Sequence, residues 1–329
     1  MNAAERHLDQ HALPMTSPVA LLFLAAAAPE ALLSTLLAPP TLASPPTAPM
    51  SRQMSTPSPC AGVRLVAAPE RPRQGALFRV RVEGVPAGVE LRGRAAGEPL
   101  HFASAAGAHA ALAAAPIEAD SPLRVVVTCS VAGRSDSLTA SVALTAADYP
   151  LERLRVAPRF SAPPDSALAE RMRRESAMAA EVSRRSHDTP RLWTEPFRRP
   201  RESRVTSTFG RGREFNGTVS SRHMGTDYAG AVGAPVHAAN RGIVRLVDSF
   251  YLGGRVVYLD HGAGIVTAYL HLSEQGVAVG DTVQRGDVIG KVGATGRVTG
   301  PHLHWITRYG GVTVDPASML RVTAASGGS

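Results

Sequence analysis

Beyond Val205 the chain consists of short Val/Ile-rich runs separated by glycine-containing turns, and 22 of its 30 glycines fall in residues 201–329. Runs this short, closed by Gly on both sides, fit strands with tight connections, because a helix of useful length would have to carry glycine in its interior. Residues 242–247, 255–260, 265–272, 282–283 and 288–292 are such runs. The pattern predicts an antiparallel β domain over residues 201–322, followed by a flexible tail at 323–329.

Upstream, short apolar stretches recur at roughly ten-residue spacing between about Gly62 and Leu144. In residues 76–85, Phe78, Val80 and Val82 alternate with Arg79, Arg81 and Glu83, the period of a strand with one face buried and one in water. About seven such strands predict an immunoglobulin-like β-sandwich over residues 60–147. No cluster of His, Asp, Glu or Ser there suggests chemistry, so spacing or adhesion is its expected role. Residues 151–205 hold thirteen arginines against eight acids, a surplus of five. Within a basic linker at 148–200, Asp165 or Ser166 can cap one helix that places Leu168, Met172, Met178 or Ala179, and Val182 on one face. The fold class is therefore predominantly all-β: a sandwich, a short helical linker and a C-terminal antiparallel β domain.

Residues 19–28 read VALLFLAAAA, the length of a signal-peptide core and too short to span a bilayer before Pro29 and Glu30 interrupt it. Residues 1–44 are read as a signal peptide, with a short apolar anchor or a buried helix as the alternative, and residues 45–59 as a proline-rich tether. Once the signal is removed, no membrane span is expected. Cys60 lacks the apolar and small residues that precede a lipid-modified cysteine, and it can form a disulfide with Cys129 if the chain is exported. Two cysteines exclude a Cys-rich structural zinc site. The net charge of +8 comes almost entirely from arginine, Lys291 being the one lysine. That bias is weak evidence for nucleic acid, and no nucleic-acid partner is predicted. A basic exported protein is still drawn to anionic surfaces such as a bacterial wall.

Six of the eleven histidines lie in the last domain. His223 and Asp227 form an H-x-x-x-D pair in a Ser/Gly-rich setting. His302 and His304 form an H-x-H in a strand-like run, so both imidazoles project from one face. Alternation in residues 266–272 sets Thr267, Tyr269 and His271 on one face. Each motif alone suits a surface or hydrogen-bonded histidine. Together they offer nitrogen and oxygen donors of the kind that hold a catalytic zinc while leaving a position open, and the H-E-x-x-H helix is absent. His237 and His261 are read as structural.

These residues resemble the lysostaphin-type zinc metallopeptidases that cut peptidoglycan peptides. The similarity covers about residues 205–316. It includes T-S-T-F-G at 206–210 with Arg213, the His223–Asp227 pair, G-A-P-V-H-A-A at 233–239, Y-L-H-L at 269–272 and T-G-P-H-L-H at 299–304. The resemblance implies one zinc per chain, held by His223, Asp227 and His304, with His271 and His302 as catalytic histidines; which of the two acts as base stays open. Zinc would lower the pKa of water to about 7, and the histidines would handle its proton and the developing oxyanion. Some relatives have a tyrosine shortly before the first zinc histidine, where this chain has Phe215-Asn216-Gly217. Asn216, Tyr269, Arg297 and Thr299 are candidate substrate-binding residues, with a turn role as the plainer reading of Asn216. The leading expectation is an exported enzyme of the periplasm or cell envelope, possessing peptidoglycan peptides as substrate. The alternatives are a wall-binding regulator that keeps the fold without catalysis, and a secreted protease acting on Gly-rich proteins.

Overall fold

The structure is a computed structural model describing residues 57–105, 108–119, 122–217 and 219–324. The expected signal peptide and nearly all of the tether lie outside the described residues, as do residues 325–329 of the expected tail. Eight strands come first: Arg64–Ala68 (β1), Leu77–Glu83 (β2), Glu90–Ala95 (β3), Glu98–Pro99 (β4), Ala103–Ala105 (β5), Ala108–Ala114 (β6), Leu123–Val131 (β7) and Arg134–Val142 (β8). They form two four-stranded antiparallel sheets, ordered β1-β2-β6-β5 and β4-β3-β7-β8. Phe78, Val80 and Val82 of β2 are fully buried between the sheets against Leu100, Val125 and Val127, as the alternation predicts. Cys60 is bonded to Cys129 of β7, which ties the segment before β1 to the second sheet.

The other face of the first sheet is not left to water. Leu77, Leu112 and Ala114 belong to a second core together with Trp193, Trp305, Tyr309 and Met319 of the C-terminal half. Arg79, expected in water, donates from its guanidinium to the Val322 carbonyl at 2.7 Å.

The linker holds more than the single helix expected of it. Leu151–Leu154 (β9) pairs in parallel with a later strand, and Ser166–Arg185 (α1) is a 20-residue helix. Asp165 is the cap, its carboxylate accepting from the Leu168 amide at 2.8 Å. Ala179, rather than the exposed Met178, packs in the core under α1 with Val182 beside it.

The C-terminal half continues with Val205–Ser207 (β10), Gly212–Phe215 (β11), Val219–Arg222 (β12), Thr226–Ala229 (β13), Pro235–His237 (β14), Gly242–Phe250 (β15) and Gly254–Gly262 (β16). Ile265–Gln275 (β17), Thr282–Val283 (β18), Val288–Val292 (β19), His302–Tyr309 (β20) and Val312–Val314 (β21) follow. Pro316–Ala324 (α2) occupies the start of the expected tail and closes the second core through Met319. Ten of these strands form one sheet whose main path is β10-β13-β20-β17-β16-β15-β18; β12, β11 and β9 form a separate three-stranded sheet. The main sheet is antiparallel in every pairing, as expected. Among the described residues no helix is long and apolar enough to cross a membrane.

His261 sits in this sheet without any exposure. Its Nδ1–H donates to the Arg241 carbonyl at 2.7 Å, and its Nε2 lies 2.8 Å from the Thr267 hydroxyl. Burial lowers its pKa to about 4 from the ordinary 6.5. The unfolded chain therefore binds the proton first on acidification. Stability is unaffected above about pH 6.5, falls as pH drops from there to about 4, and loses at most about 3 kcal/mol through this residue. Equilibrium denaturation between pH 7 and 4 is expected to show that slope, reduced by one proton's worth in His261→Gln. An unchanged slope in the variant contradicts the assignment.

Candidate metal centre and its flanking histidines

The centre is assembled by strand register. Antiparallel pairing of β13 with β20 sets Asp227 directly opposite His304 and Ala229 opposite His302. Side chains facing each other across such a pair stand within about 5.5 Å at Cβ, so a carboxylate and an imidazole meet. Asp227 Oδ1 lies 2.7 Å from His304 Nδ1. His223, four residues before Asp227, is held at its backbone by bonds to Gly210 and Arg211. Its Nε2 is 2.9 Å from Asp227 Oδ1 and 3.0 Å from His304 Nδ1. All three residues are buried, and one donor atom from each fits within a 4.8 Å span.

The proton positions follow from the partners. His223 Nδ1 lies 2.8 Å from the Thr208 carbonyl, which can only accept, so this nitrogen carries the hydrogen and Nε2 presents a lone pair. That lone pair faces a carboxylate oxygen at 2.9 Å. A proton or a metal cation between them reconciles two acceptors this close, and two imidazoles with one carboxylate are a donor set that suits zinc. The residues present thus fit the metal that the motifs imply.

Electrostatics point the same way. Burial alone would raise the Asp227 pKa, but the close contacts with the His223 and His304 rings hold it well below the usual carboxylate range. Arg213 adds an ion pair to the other oxygen, Oδ2, at 2.6 Å. Burial lowers His304 to about 4 in spite of Asp227, so its ring is neutral near pH 7.

His271 and His302 flank these three. Tyr269 pairs with Trp305, and Leu270 with His304, across β17 and β20. Continued alternation would therefore send His271 into the core with Tyr269. His271 instead has φ +64°, a left-handed conformation next to a register shift, which turns its ring towards His304 and His302. The ring centroids of His271 and His302 are 4.9 Å apart. His271 Nδ1–H donates to the Thr295 carbonyl and His302 Nδ1–H to the Gly300 carbonyl, each at 2.8 Å, so each neutral ring keeps Nε2 as an acceptor. Burial, and then the charges His304 and His302 would carry, push His271 well below the ordinary value.

Around this group runs a cleft. One part is lined by His223, His271, His304, Met224 and Leu252, the other by His302, Thr299, Glu152 and Leu154, with Arg213, Phe215 and Arg297 bordering both. The structure thus brings Arg297 and Thr299 to the cleft. Two other candidates are corrected. Tyr269 is fully buried, and its hydroxyl accepts from the Ala239 amide and is bonded to Thr267, because its position on β17 faces the core. Asn216, at φ +52°, spends its side chain on Val156 and Ser161, fastening the linker to the turn after β11. His237 and His261 bond to the Gly286 and Arg241 carbonyls, away from the cleft.

Sequence reasoning missed Glu152, which bonds Ser207 and pairs with Arg213 and Arg211. Nothing in a linker sequence signals a parallel strand that will add to β11. It also missed Gly225, where an added Cβ would lie 2.6 Å from the Trp305 carbonyl and 2.7 Å from the His304 ring. The H-x-G-x-D spacing around that glycine was the available signal.

The profile of peptidase family M23 matches residues 221–316, which hold all four of these histidines and the aspartate. This segment is a peptidase family M23 domain. The match begins after Ser207, Thr208 and Arg213, so residues upstream of the matched segment support the His223, Asp227 and His304 cluster. Over 118 residues the chain is 39% identical to a peptidoglycan DD-endopeptidase of Vibrio cholerae, covering 35% of this chain and 27% of that one. Over 121 residues it is 39% identical to a DD-carboxypeptidase/endopeptidase of Neisseria meningitidis, covering 37% and 28%. The chain thus spans little more than a quarter of these curated relatives. A crystal structure described as an M23 peptidase from Pseudomonas aeruginosa is similar over 76% of this chain and 94% of its own, at 27% identity and a TM-score of 0.58.

The contact at Gly225 yields a direct test. Gly225→Ala is expected to displace the His304 ring and weaken zinc binding at least tenfold in a competitive chelator titration. Wild-type affinity in a folded variant would show that the glycine does not shape the centre.

Proposed function

We propose that this chain is an exported zinc metallo-endopeptidase that hydrolyses peptide bonds in bacterial peptidoglycan. The observation that carries the reading is the buried convergence of His223 Nε2, Asp227 Oδ1 and His304 Nδ1 beside two further histidines with acceptor nitrogens. Those three atoms would hold one zinc. Bound there, zinc supplies Lewis acidity, making water acidic near neutral pH and polarising a carbonyl oxygen. His271 and His302 are the catalytic residues. Hydrolysis moves one water proton to the leaving amine as oxygen bonds to the carbonyl carbon and the C–N bond breaks. His271, kept neutral by burial, is fit to accept a proton at Nε2 and, once protonated, to donate it to the oxyanion or the amine. His302 Nε2, 3.7 Å from Asp227 Oδ1, serves the same cleft from the other side.

Peptidoglycan as substrate is supported by the names of the relatives. Export is supported by the Cys60–Cys129 disulfide, a bond that persists in oxidising compartments, and by the apolar run at 19–28; periplasm or cell envelope is the corresponding location. We assign residues 60–147 to an immunoglobulin-like sandwich, 148–200 to the linker and 201–322 to the peptidase domain. Lettered along the chain, the strand orders A-B-E-D and C′-C-F-G support that sandwich. Arg297 and Thr299 are proposed to contact substrate.

The test is zinc content with digestion of purified sacculi. About one zinc per chain and chelator-sensitive peptide release are expected, both lost in His304→Ala. His271→Ala is expected to keep zinc while release falls 10²- to 10⁴-fold. Bound zinc without release from sacculi would favour the regulator, and cleavage of Gly-rich protein alone the general protease.

A further inference from the structure

Three arginines line the cleft, and two are neutralised. Arg213 is held by Asp227 and Glu152, and Arg222 by Glu118. Arg297 differs. Its guanidinium lies 4.0 Å over the Phe215 ring, half-buried where the two parts of the cleft meet, and among the described residues no carboxylate pairs with it. Burial, and then the like charge of Arg213, disfavour the cation. The aromatic face returns part of the cost but satisfies none of the N–H groups along the guanidinium edge. A fixed, half-dehydrated fork of donors matches a carboxylate in two-point contact, which a lysine in its place could not offer.

Resting on the peptidase reading above, we infer that Arg297 is a specificity-determining residue that binds a free carboxylate carried by the peptide substrate on a residue flanking the scissile bond. The anion arrives with the substrate because the enzyme's own acids near the cleft are already committed: Glu152 to Arg213, Arg211 and Ser207, and Asp227 to the metal centre and Arg213. Placement at the meeting of the two parts puts the bound carboxylate beside the histidines instead of at a remote anchor.

The experiment compares native sacculi with sacculi whose free carboxylates have been converted to amides by carbodiimide and ammonium. Wild-type protein is expected to release peptides at least tenfold faster from the native material. In Arg297→Gln that ratio should collapse towards one, and Arg297→Lys, which keeps the charge without the fork, should fall between. A wild-type ratio of one with active enzyme overturns the inference alone. A ratio that survives in both variants, or equal loss on both substrates, assigns Arg297 a structural role and also overturns it. No release by zinc-loaded wild-type protein from either substrate defeats the peptidase reading itself, and the inference with it.

Discussion

The antiparallel register between β13 and β20 is the constraint on which the centre depends. It sets Asp227 against His304 and, one position away, Tyr228 against Leu303. Because side chains alternate, a slip of one residue would turn Asp227 or His304 into the apolar core and bring Leu303, Tyr228 or Trp305 to the cleft face. Those three belong to the shared core, with Leu303 and Trp305 fully buried. Hydrophobic burial at about 1.5–3 kcal/mol per large side chain therefore selects the register that also assembles the donors. Packing, not metal binding, is what brings two imidazoles and a carboxylate together.

The same alternation cannot deliver His271. On β17 the odd positions Thr267 and Tyr269 point into the core, where their hydroxyls form a chain with His261 and the Ala239 amide. His271 leaves that pattern through its left-handed backbone, which costs of order 1 kcal/mol for a residue with a Cβ. Bonds from its amide to Gly253 and from its ring to the Thr295 carbonyl hold the conformation. A local exception to strand geometry thus carries a proposed catalytic group into the cleft.

Much of the site was legible because its chemistry is written in short spacings. H-x-H on a strand projects two rings together, and the His223–Asp227 pair, the glycine turns and the Asp165 cap are equally local. Simple alternation and nearness in sequence are poor guides at two places. Tyr269 was grouped with His271 by alternation, and only the backbone at His271 shows that they part. Asn216 takes the turn conformation that is its plainer reading, and its amide, a candidate for substrate, is consumed by a linker 55 to 60 residues away. Glu152 and the parallel strand around it were invisible for the same reason. Contacts of high sequence separation leave no periodic trace, and a basic linker with one acidic residue in the right place looks like any other.

The sandwich presents the same lesson at larger scale. Its alternation predicts a core between two sheets and a wet outer face, but Leu77, Leu112 and Ala114 on that outer face enter the core that holds Trp305. The union is specific as well as apolar. The Leu77 amide donates to the Ser318 hydroxyl, and at the far end of β20 the Tyr309 hydroxyl donates to the Pro99 carbonyl. Glu98 of β4 accepts from the Gly311 amide and also meets the His187 ring at the end of α1. The sandwich thus grips the distal end of the strand whose first and third residues are His302 and His304. Cutting the chain at the compositional boundary would expose the apolar side chains that fix β20. The M23 domain of this chain is therefore best understood as one part of a shared core, with its strand register held from both ends.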